Sequence, residues 1–186
     1  MHSGWREKMI NIEQVNKRYS SGMYGGKFMP FHIGHLYCIE KGASVCDKLF
    51  VILFGGGDDE LRILKESSVI DREYLSLDYR KEIVDIVSTH FDNVVPVFID
   101  VTTLKKEDGS EDWDAETPLV LNVCGKFDAV FSSEPSYNDY FQRAYPWADH
   151  ILIDPPRIVY PVSGTYLRKN GEDGEKRSII KCDWKI

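Results

Sequence analysis

Residues 25–35 read Gly-Gly-Lys-Phe-Met-Pro-Phe-His-Ile-Gly-His and combine residue types that bind phosphate groups. Glycines allow a tight backbone, so that amide groups can approach an anion. A helix beginning near Gly34 would direct the positive end of its dipole at that anion. The side chains of Lys27, His32 and His35 would add hydrogen-bond donors. The segment therefore predicts a site that holds a polyphosphate.

A second segment, residues 162–168, reads Val-Ser-Gly-Thr-Tyr-Leu-Arg. Ser163 can cap a helix whose first amide groups then face a phosphate. Arg168, about one turn further along, can form two hydrogen bonds to phosphate oxygens. Taken alone, this segment is explained as well by an ordinary capped helix with a solvated arginine. A lone His-x-Gly-His is weak evidence too, but the preceding glycine pair and Pro30 favour a functional role.

The elements that would position these segments alternate between strand and helix. Residues 49–54 form a short, continuous apolar run, which is typical of a strand buried on both faces of a parallel sheet. Leu36, Ile39 and Ala43 have helical spacing. The predicted strands are 18–23, 49–54, 97–101, 128–131 and 150–153. The predicted helices follow His32, cover 75–90, run from Thr117-Pro118 to about Gly125, and cover 137–145.

This alternation predicts an α/β fold with a Rossmann-like open parallel sheet and helices on both faces. Ligands of such sheets bind beyond the carboxyl ends of the strands. Residues 25–27, 55–57 and 132–134 each follow a predicted strand, so we expect them to gather along one edge. Residues 105–116 are charged and are predicted to form a surface loop.

Length and composition limit the classes of function. A chain of 186 residues predicts one domain, covering residues 18–186. Residues 1–17 are polar and are expected to be an N-terminal arm, either disordered or helical around residues 10–15. The formal charge of −7 argues against broad nucleic-acid binding but not against binding one nucleotide.

Cysteine usage and hydropathy indicate a cytoplasmic protein. The four cysteines include no Cys-x-x-Cys pair, as expected of reduced thiols. No apolar run approaches the ~20 residues that span a bilayer, and the N-terminus lacks the apolar core of a signal peptide. We therefore expect neither a membrane nor a nucleic-acid partner. The oligomeric state stays open, with a homo-oligomer as one possibility.

Together, the two segments resemble the HIGH-motif nucleotidyltransferase superfamily. Its members pair Gly-x-Phe-x-Pro-x-His-x-Gly-His with Ile-Ser-x-Thr-x-x-Arg. The first motif matches Gly26–His35, and the second matches Val162–Arg168 with valine in place of isoleucine. Over about residues 18–170, with the run Val-Phe-Ser-Ser-Glu at 130–134, the chain is most similar to nicotinamide-nucleotide adenylyltransferases of the NadR type. Residues 18–186 would then be the nucleotidyltransferase domain.

The resemblance implies an enzyme that joins nicotinamide mononucleotide to the AMP part of ATP, giving NAD and pyrophosphate, with Mg²⁺ delivered on ATP. His32 and His35 would bind the ATP phosphates and stabilise the transition state. The implied catalytic set is His32, His35, Lys27 and Arg168. The implied ATP-binding set is Gly25, Gly26, Lys27, Phe28, His32, His35, Ser132, Ser133, Glu134, Ser163, Thr165 and Arg168.

Other residues keep two interpretations. Trp113 could stack on the nicotinamide ring or be a half-buried loop aromatic. Arg157 could bind a substrate phosphate or pair with a surface carboxylate. Residues 132–134 could lie near the adenosine or form a capped loop. Residues 58–60, Asp-Asp-Glu, are expected to be a solvated turn rather than a metal cluster, and Arg80 is expected to be structural.

Three alternative functions remain open at this point. A sibling transferase could act on another phosphate, such as phosphopantetheine or flavin mononucleotide. A non-catalytic nucleotide sensor could keep the fold, although it would not need both histidines and Arg168. A tRNA synthetase fragment shares the histidine motif but would need a second, lysine-containing motif that is absent here.

The kinase and helix-turn-helix regions of NadR-type proteins are not expected, since no Gly-x-x-x-x-Gly-Lys loop follows. The choice between nicotinamide and nicotinic acid forms is also open.

Overall fold

Six parallel strands form the centre of the fold in the computed structural model, which describes residues 9–173 and 178–183. The strands are β1 (Met9–Asn11), β2 (Tyr19–Gly26), β3 (Cys46–Gly55), β4 (Val94–Asp100), β5 (Ala129–Ser132) and β6 (Asp149–Leu152). The helices are α1 (Ile33–Val45), α2 (Asp58–Glu66), α3 (Leu77–Ser88), α4 (Trp113–Cys124), α5 (Asn138–Ala144) and α6 (Gly164–Asn170). The strand order is β1-β6-β5-β2-β3-β4, so the predicted α/β, Rossmann-like fold is confirmed.

Alternating side chains along the strands build a core on each face of the sheet. In β2, Tyr24 joins the cluster formed with α1 and α3, whereas Met23 joins the cluster formed with α4 and α5. In β3, Val51 and Leu53 face the first cluster and Ile52 faces the second. Because both faces are covered, the apolar run of β3 has no solvent-facing side, as expected for a parallel strand.

The sheet has a topological switch point between β2 and β5. Strands β3 and β4 extend to one side of β2, and β5 and β6 extend to the other. In a doubly wound sheet this switch point opens a crevice at the carboxyl ends of the strands. The ends of β2 and β5 therefore carry the residues closest to a ligand.

Three sequence predictions were wrong at the level of elements. The described part of the arm contains strand β1, paired in parallel with β6, which the sequence does not predict; a 3-10 helix over Ile12–Gln14 follows, within the stretch expected to be helical. Helix α4 begins at Trp113 rather than Thr117, because the Asp112 side chain accepts a hydrogen bond from the amide of Ala115; Pro118 lies inside the helix. Residues 1–8 of the arm lie outside the described residues.

The third error concerns residues 58–60, which form the first turn of α2 instead of a solvated turn. Acidic residues there favour a helix because they face the positive end of its dipole. Glu60 is buried and pairs with Arg80, whose guanidinium also donates to the carbonyl of Lys27 over 2.8 Å. Arg80 thus has the structural role that the sequence predicted.

The four cysteines are free thiols, as expected. Across residues 9–173 and 178–183, no helix is long and apolar enough to cross a membrane.

Candidate active site

A cavity of about 470 Å³ opens at the switch point between β2 and β5. The two sequence motifs, at opposite ends of the domain, both contribute to its wall. Every site residue predicted from the sequence lines it: Gly25, Gly26, Lys27, Phe28, His32, His35, Trp113, Ser132, Ser133, Glu134, Arg157, Ser163, Thr165 and Arg168. The structure therefore brings the predicted residues into one place.

The two histidines close the first turn of α1 through a reciprocal pair of hydrogen bonds. Nδ1 of His32 accepts from the amide of Gly34 over 3.1 Å, and Nδ1 of His35 accepts from the amide of His32 over 3.2 Å. The two rings stack with their centroids 3.6 Å apart. Because each Nδ1 is an acceptor, a neutral ring must carry its proton on Nε2. Each ring therefore keeps one N–H donor.

Both imidazoles are held in the neutral form. Burial, and then the positive charge of Arg157, lower the pKa of His32 to about 3. Burial, His32 and Arg157 lower the pKa of His35 well below its usual value. At pH 7 the pair therefore supplies neutral hydrogen-bond donors to the cavity, and a bound anion would raise both pKa values.

Small residues permit this arrangement. A Cβ atom on Gly34 would lie 3.1 Å from the ring of His32, and one on Gly26 would lie 3.0 Å from the ring of Phe28. Phe28 has a positive φ of 53°, and its ring meets the edge of His35 at a centroid distance of 5.0 Å. The tight backbone therefore lies at Phe28, two residues after the glycine pair. The pair itself forms the end of β2.

Lys27 is paired with two carboxylates at the cavity wall. Its ammonium group contacts Asp59 and donates to Glu111 over 2.6 Å. All three side chains are at least two-thirds buried. A phosphate could bind Lys27 through the third N–H donor of the ammonium group or by exchanging with one of these carboxylates.

The second motif docks on the first through Arg168. The Ser163 hydroxyl accepts from the amide of Tyr166 over 3.1 Å and begins α6. The guanidinium of Arg168 donates to the carbonyl of Met29 and, over 3.2 Å, to the hydroxyl of Thr165. A Cβ atom on Gly164 would lie 2.9 Å from the Met29 carbonyl oxygen, so only glycine allows this close approach.

A buried histidine contacts the loop after β5 and helps to fix its position. His150 is neutral because burial lowers its pKa to about 4, and its Nε2 lies 2.7 Å from the Ser132 hydroxyl. The same hydroxyl oxygen accepts from the amide of Glu134 over 3.2 Å, and the Ser133 hydroxyl donates to the carbonyl of Ile153 over 2.8 Å. The serine hydroxyls thus shape the loop, while Glu134 faces the cavity.

Trp113 and Arg157 both have partners at the cavity wall. The Trp113 ring is 38% exposed and contacts Tyr137 and Tyr140 edge-on, at centroid distances of 5.3 and 5.4 Å. Arg157 pairs with Glu134 and donates to the carbonyl of Val162 over 2.9 Å. Arg157 thus pairs with a carboxylate, which is one of its two interpretations from the sequence. That carboxylate lines the cavity and is not on the outer surface.

The sequence analysis did not identify several further lining residues. Asp59, Glu111 and Glu116 place carboxylates in the wall, and Tyr137 and Tyr140 add aromatic surface. Residues 105–116 had been assigned to a surface loop, so their carboxylates carried no signal of a site. Among the described residues, no group of three or more His, Cys, Asp or Glu side chains could hold a metal ion.

No protein-family model matches the chain. The trifunctional NAD biosynthesis/regulator protein NadR of Escherichia coli is 25% identical to it over 170 residues, which is 88% of this chain and 40% of that protein. NadR of Salmonella typhimurium matches with the same identity and coverage. The chain is therefore similar to NadR over most of its own length.

The match to NadR covers part of those proteins, since the chain spans about 40% of their length. A crystal structure of NadR in complex with NAD and AMP-PNP superimposes with a TM-score of 0.60, 19% identity, and coverage of 88% of this chain and 45% of that one. At that identity the superposition supports the fold alone, which agrees with the Rossmann-like sheet.

Proposed function

We propose that the chain is an adenylyltransferase that joins nicotinamide mononucleotide to the AMP part of ATP, forming NAD and releasing pyrophosphate. The observation that carries the proposal is the meeting of both motifs in one cavity at the switch point of the sheet. The sequence similarity to NadR, which is named for NAD biosynthesis, supports a pyridine nucleotide over other acceptors.

ATP would bind with its phosphates between the histidine pair and Arg168. His32, His35 and Arg168 line the same cavity, and their Nε2–H and guanidinium groups are hydrogen-bond donors. Thr165 adds a hydroxyl beside Arg168. Lys27 would leave one of its carboxylate partners for a phosphate oxygen, and residues 132–134 would border the adenosine.

The reaction is an in-line displacement at the α-phosphorus of ATP. An oxygen of the mononucleotide phosphate forms the new P–O bond while the bond to the departing pyrophosphate breaks. No general base is required, because the attacking phosphate is already ionised. The protein contributes positioning and donors aimed at the charge that develops, and neutral histidines suit this role because they donate without transferring their protons.

The mononucleotide would lie with its ring toward Trp113 and its phosphate toward Arg157. A cationic pyridinium on an indole face is favourable by about 0.5–2 kcal/mol. Arg157 would exchange Glu134 for the phosphate. The pairing of Arg157 with Glu134 would keep both charges neutralised whenever no substrate phosphate is bound.

Mg²⁺ would be delivered with ATP and neutralise phosphate charge. Such an ion keeps several waters and needs only one or two carboxylates besides the phosphates. Asp59 or Glu111, whichever of the two Lys27 releases, could supply such a carboxylate. This donor set fits a phosphate-borne ion.

Incubation with ATP, Mg²⁺ and a panel of acceptors tests the proposal, with pyrophosphate release as the measurement. We expect release with nicotinamide mononucleotide. Release only with phosphopantetheine or flavin mononucleotide would retain the superfamily and overturn the substrate. Nucleotide binding without release from any acceptor would instead support the non-catalytic sensor.

A further inference from the structure

Glu116 is a buried carboxylate that faces the cavity without a partner. Its residue is 8% exposed, and it lines the cavity from the first turn of α4. No hydrogen bond or ion pair joins its carboxylate to any residue within 9–173 or 178–183. Buried carboxylates are normally paired, because an unpaired one is costly. A ligand group is therefore expected to satisfy Glu116.

The surroundings of Glu116 favour a cation and oppose an anion. Trp113, one helical turn away on the same face, lines the cavity with Tyr137 and Tyr140. Aromatic faces attract positive charge. The nearby charge of Lys27 is taken up by Asp59 and Glu111. This end of the cavity thus combines aromatic rings with a carboxylate that has no direct hydrogen-bond or ion-pair partner among the described residues.

We propose that Glu116 selects the nicotinamide form of the mononucleotide over the nicotinic acid form. This inference rests on the proposed function and names the substrate preference of the same site. Both forms contain a pyridinium ring, which is positive because its nitrogen is bonded to ribose. They differ in one group: a carboxamide, which donates N–H bonds, or a carboxylate, which only accepts.

The selection has an attractive and a repulsive part. The Glu116 carboxylate accepts from the carboxamide and faces the pyridinium charge, so both buried groups are satisfied. Above the pKa of Glu116, where its carboxylate is ionised, a nicotinate carboxylate would place two negative acceptors together and leave each without a donor. Specificity is commonly set by such a repulsive contact against the unwanted ligand.

The test compares wild-type protein with Glu116→Gln and with Asp114→Asn as the matched control. Asp114 lies on the same helix, is exposed and pairs with Arg143, so its substitution removes one charge outside the cavity. Glutamine keeps the size of Glu116 but offers a donor to nicotinate. We expect Glu116→Gln to lower the ratio of kcat/KM for the nicotinamide and nicotinic acid forms by roughly tenfold or more. Asp114→Asn should leave the ratio unchanged.

Binding measured by calorimetry separates this inference from the proposed function. Kd values for both mononucleotides should show the same change of preference, even if no product forms. Absent turnover with a preference that Glu116→Gln removes would overturn the proposed function and keep the selection. An unchanged ratio in folded Glu116→Gln, or a wild-type protein that binds both forms equally or neither, would overturn the selection.

Discussion

His32 and His35 each use one ring nitrogen to close the first turn of α1 and keep the other for the cavity. The backbone contacts fix both the position of the rings and the nitrogen that carries the proton. A helix cap of this kind is ordinarily built from serine and glutamate. Histidine in both positions makes the cap itself the donor of the site.

His35→Ala should lower kcat by roughly 10²–10³, the usual cost of removing one donor aimed at developing charge. ATP affinity should fall much less, because the contact matters most in the transition state. Loss of the cap should also reduce the free energy of unfolding by about 1 kcal/mol. Steady-state kinetics, ATP titration and urea unfolding measure these three quantities.

His35→Gln is the matched control for the cap, since glutamine is a preferred residue at this helix position. It should restore most of the unfolding free energy while kcat remains low. If His35→Ala lost only stability and its folded fraction turned over normally, His35 would be a packing residue.

Arg168→Lys keeps the positive charge and loses the forked geometry that reaches Met29 and Thr165. We expect a clear fall in kcat/KM for ATP, with little change in KM for the mononucleotide, because Arg168 contacts the departing pyrophosphate in the proposed complex. The opposite pattern in initial-rate kinetics would place Arg168 at the other substrate.

Glu116 should make stability depend on pH. Burial, followed by the negative charge of Glu111, raises its pKa to about 7 in the folded protein. The unfolded carboxyl ionises at about 4.3, so between these values the folded state binds more protons and stability falls as pH rises. Glu116→Gln lacks this loss and should be more stable than wild type by about 1–3 kcal/mol at pH 8, with a smaller gain at pH 5.

Urea unfolding at pH 5 and pH 8 measures this difference, with Asp114→Asn as the exposed control. A gain of equal size at both pH values would mean that Glu116 is ionised, or neutral, throughout the range. In that case burial would not bring the pKa of Glu116 into the range between pH 5 and pH 8.

At the scale of elements, the sequence predicts best those elements whose pattern lies within their own residues. The continuous apolar run of β3 and the spacing of Leu36, Ile39 and Ala43 in α1 are local patterns, and both elements form where the sequence predicts them. Strand β1 has three residues and gains its stability from pairing with β6, at the other end of the chain. No local pattern indicates that pairing.

The residues of the site fall into the same two groups, those with a local sequence pattern and those without one. The histidines and glycines of the first motif act within one turn of chain, so their types and spacing indicate their geometry. The pairing of Lys27 with Glu111 spans 84 residues and depends on how the loop before α4 packs. Glu116 lies in the same region, and its burial follows from a helix that begins earlier than its Thr-Pro signal implies.

Strand β1 and its 3-10 turn should contribute to stability as part of the domain. Ile12 is buried in the core cluster that contains β2, β3 and α1. Ile12→Ala should lower the free energy of unfolding by about 2–4 kcal/mol, the cost of a cavity in a packed core. Met9→Ala, at the exposed start of β1, should cost much less. Equal small effects in urea unfolding would show that the arm is not part of the core.

At the scale of the whole molecule, the cavity exists because the chain switches direction between β2 and β5 and returns through α6. That return brings Arg168 against the carbonyl of Met29, which lies 139 residues earlier. In the proposed reaction, both motifs would therefore act on ATP as one site. The fold positions the donors, and the donors would stabilise the charge that develops.

The most direct test of this account is the product formed from ATP, Mg²⁺ and nicotinamide mononucleotide. Chromatography with mass detection should find NAD and pyrophosphate in equal amounts with wild-type protein, and a rate lower by roughly 10²–10³ with His35→Ala. Both nucleotides binding without any NAD would contradict the account. Undiminished NAD formation by folded His35→Ala would contradict it equally.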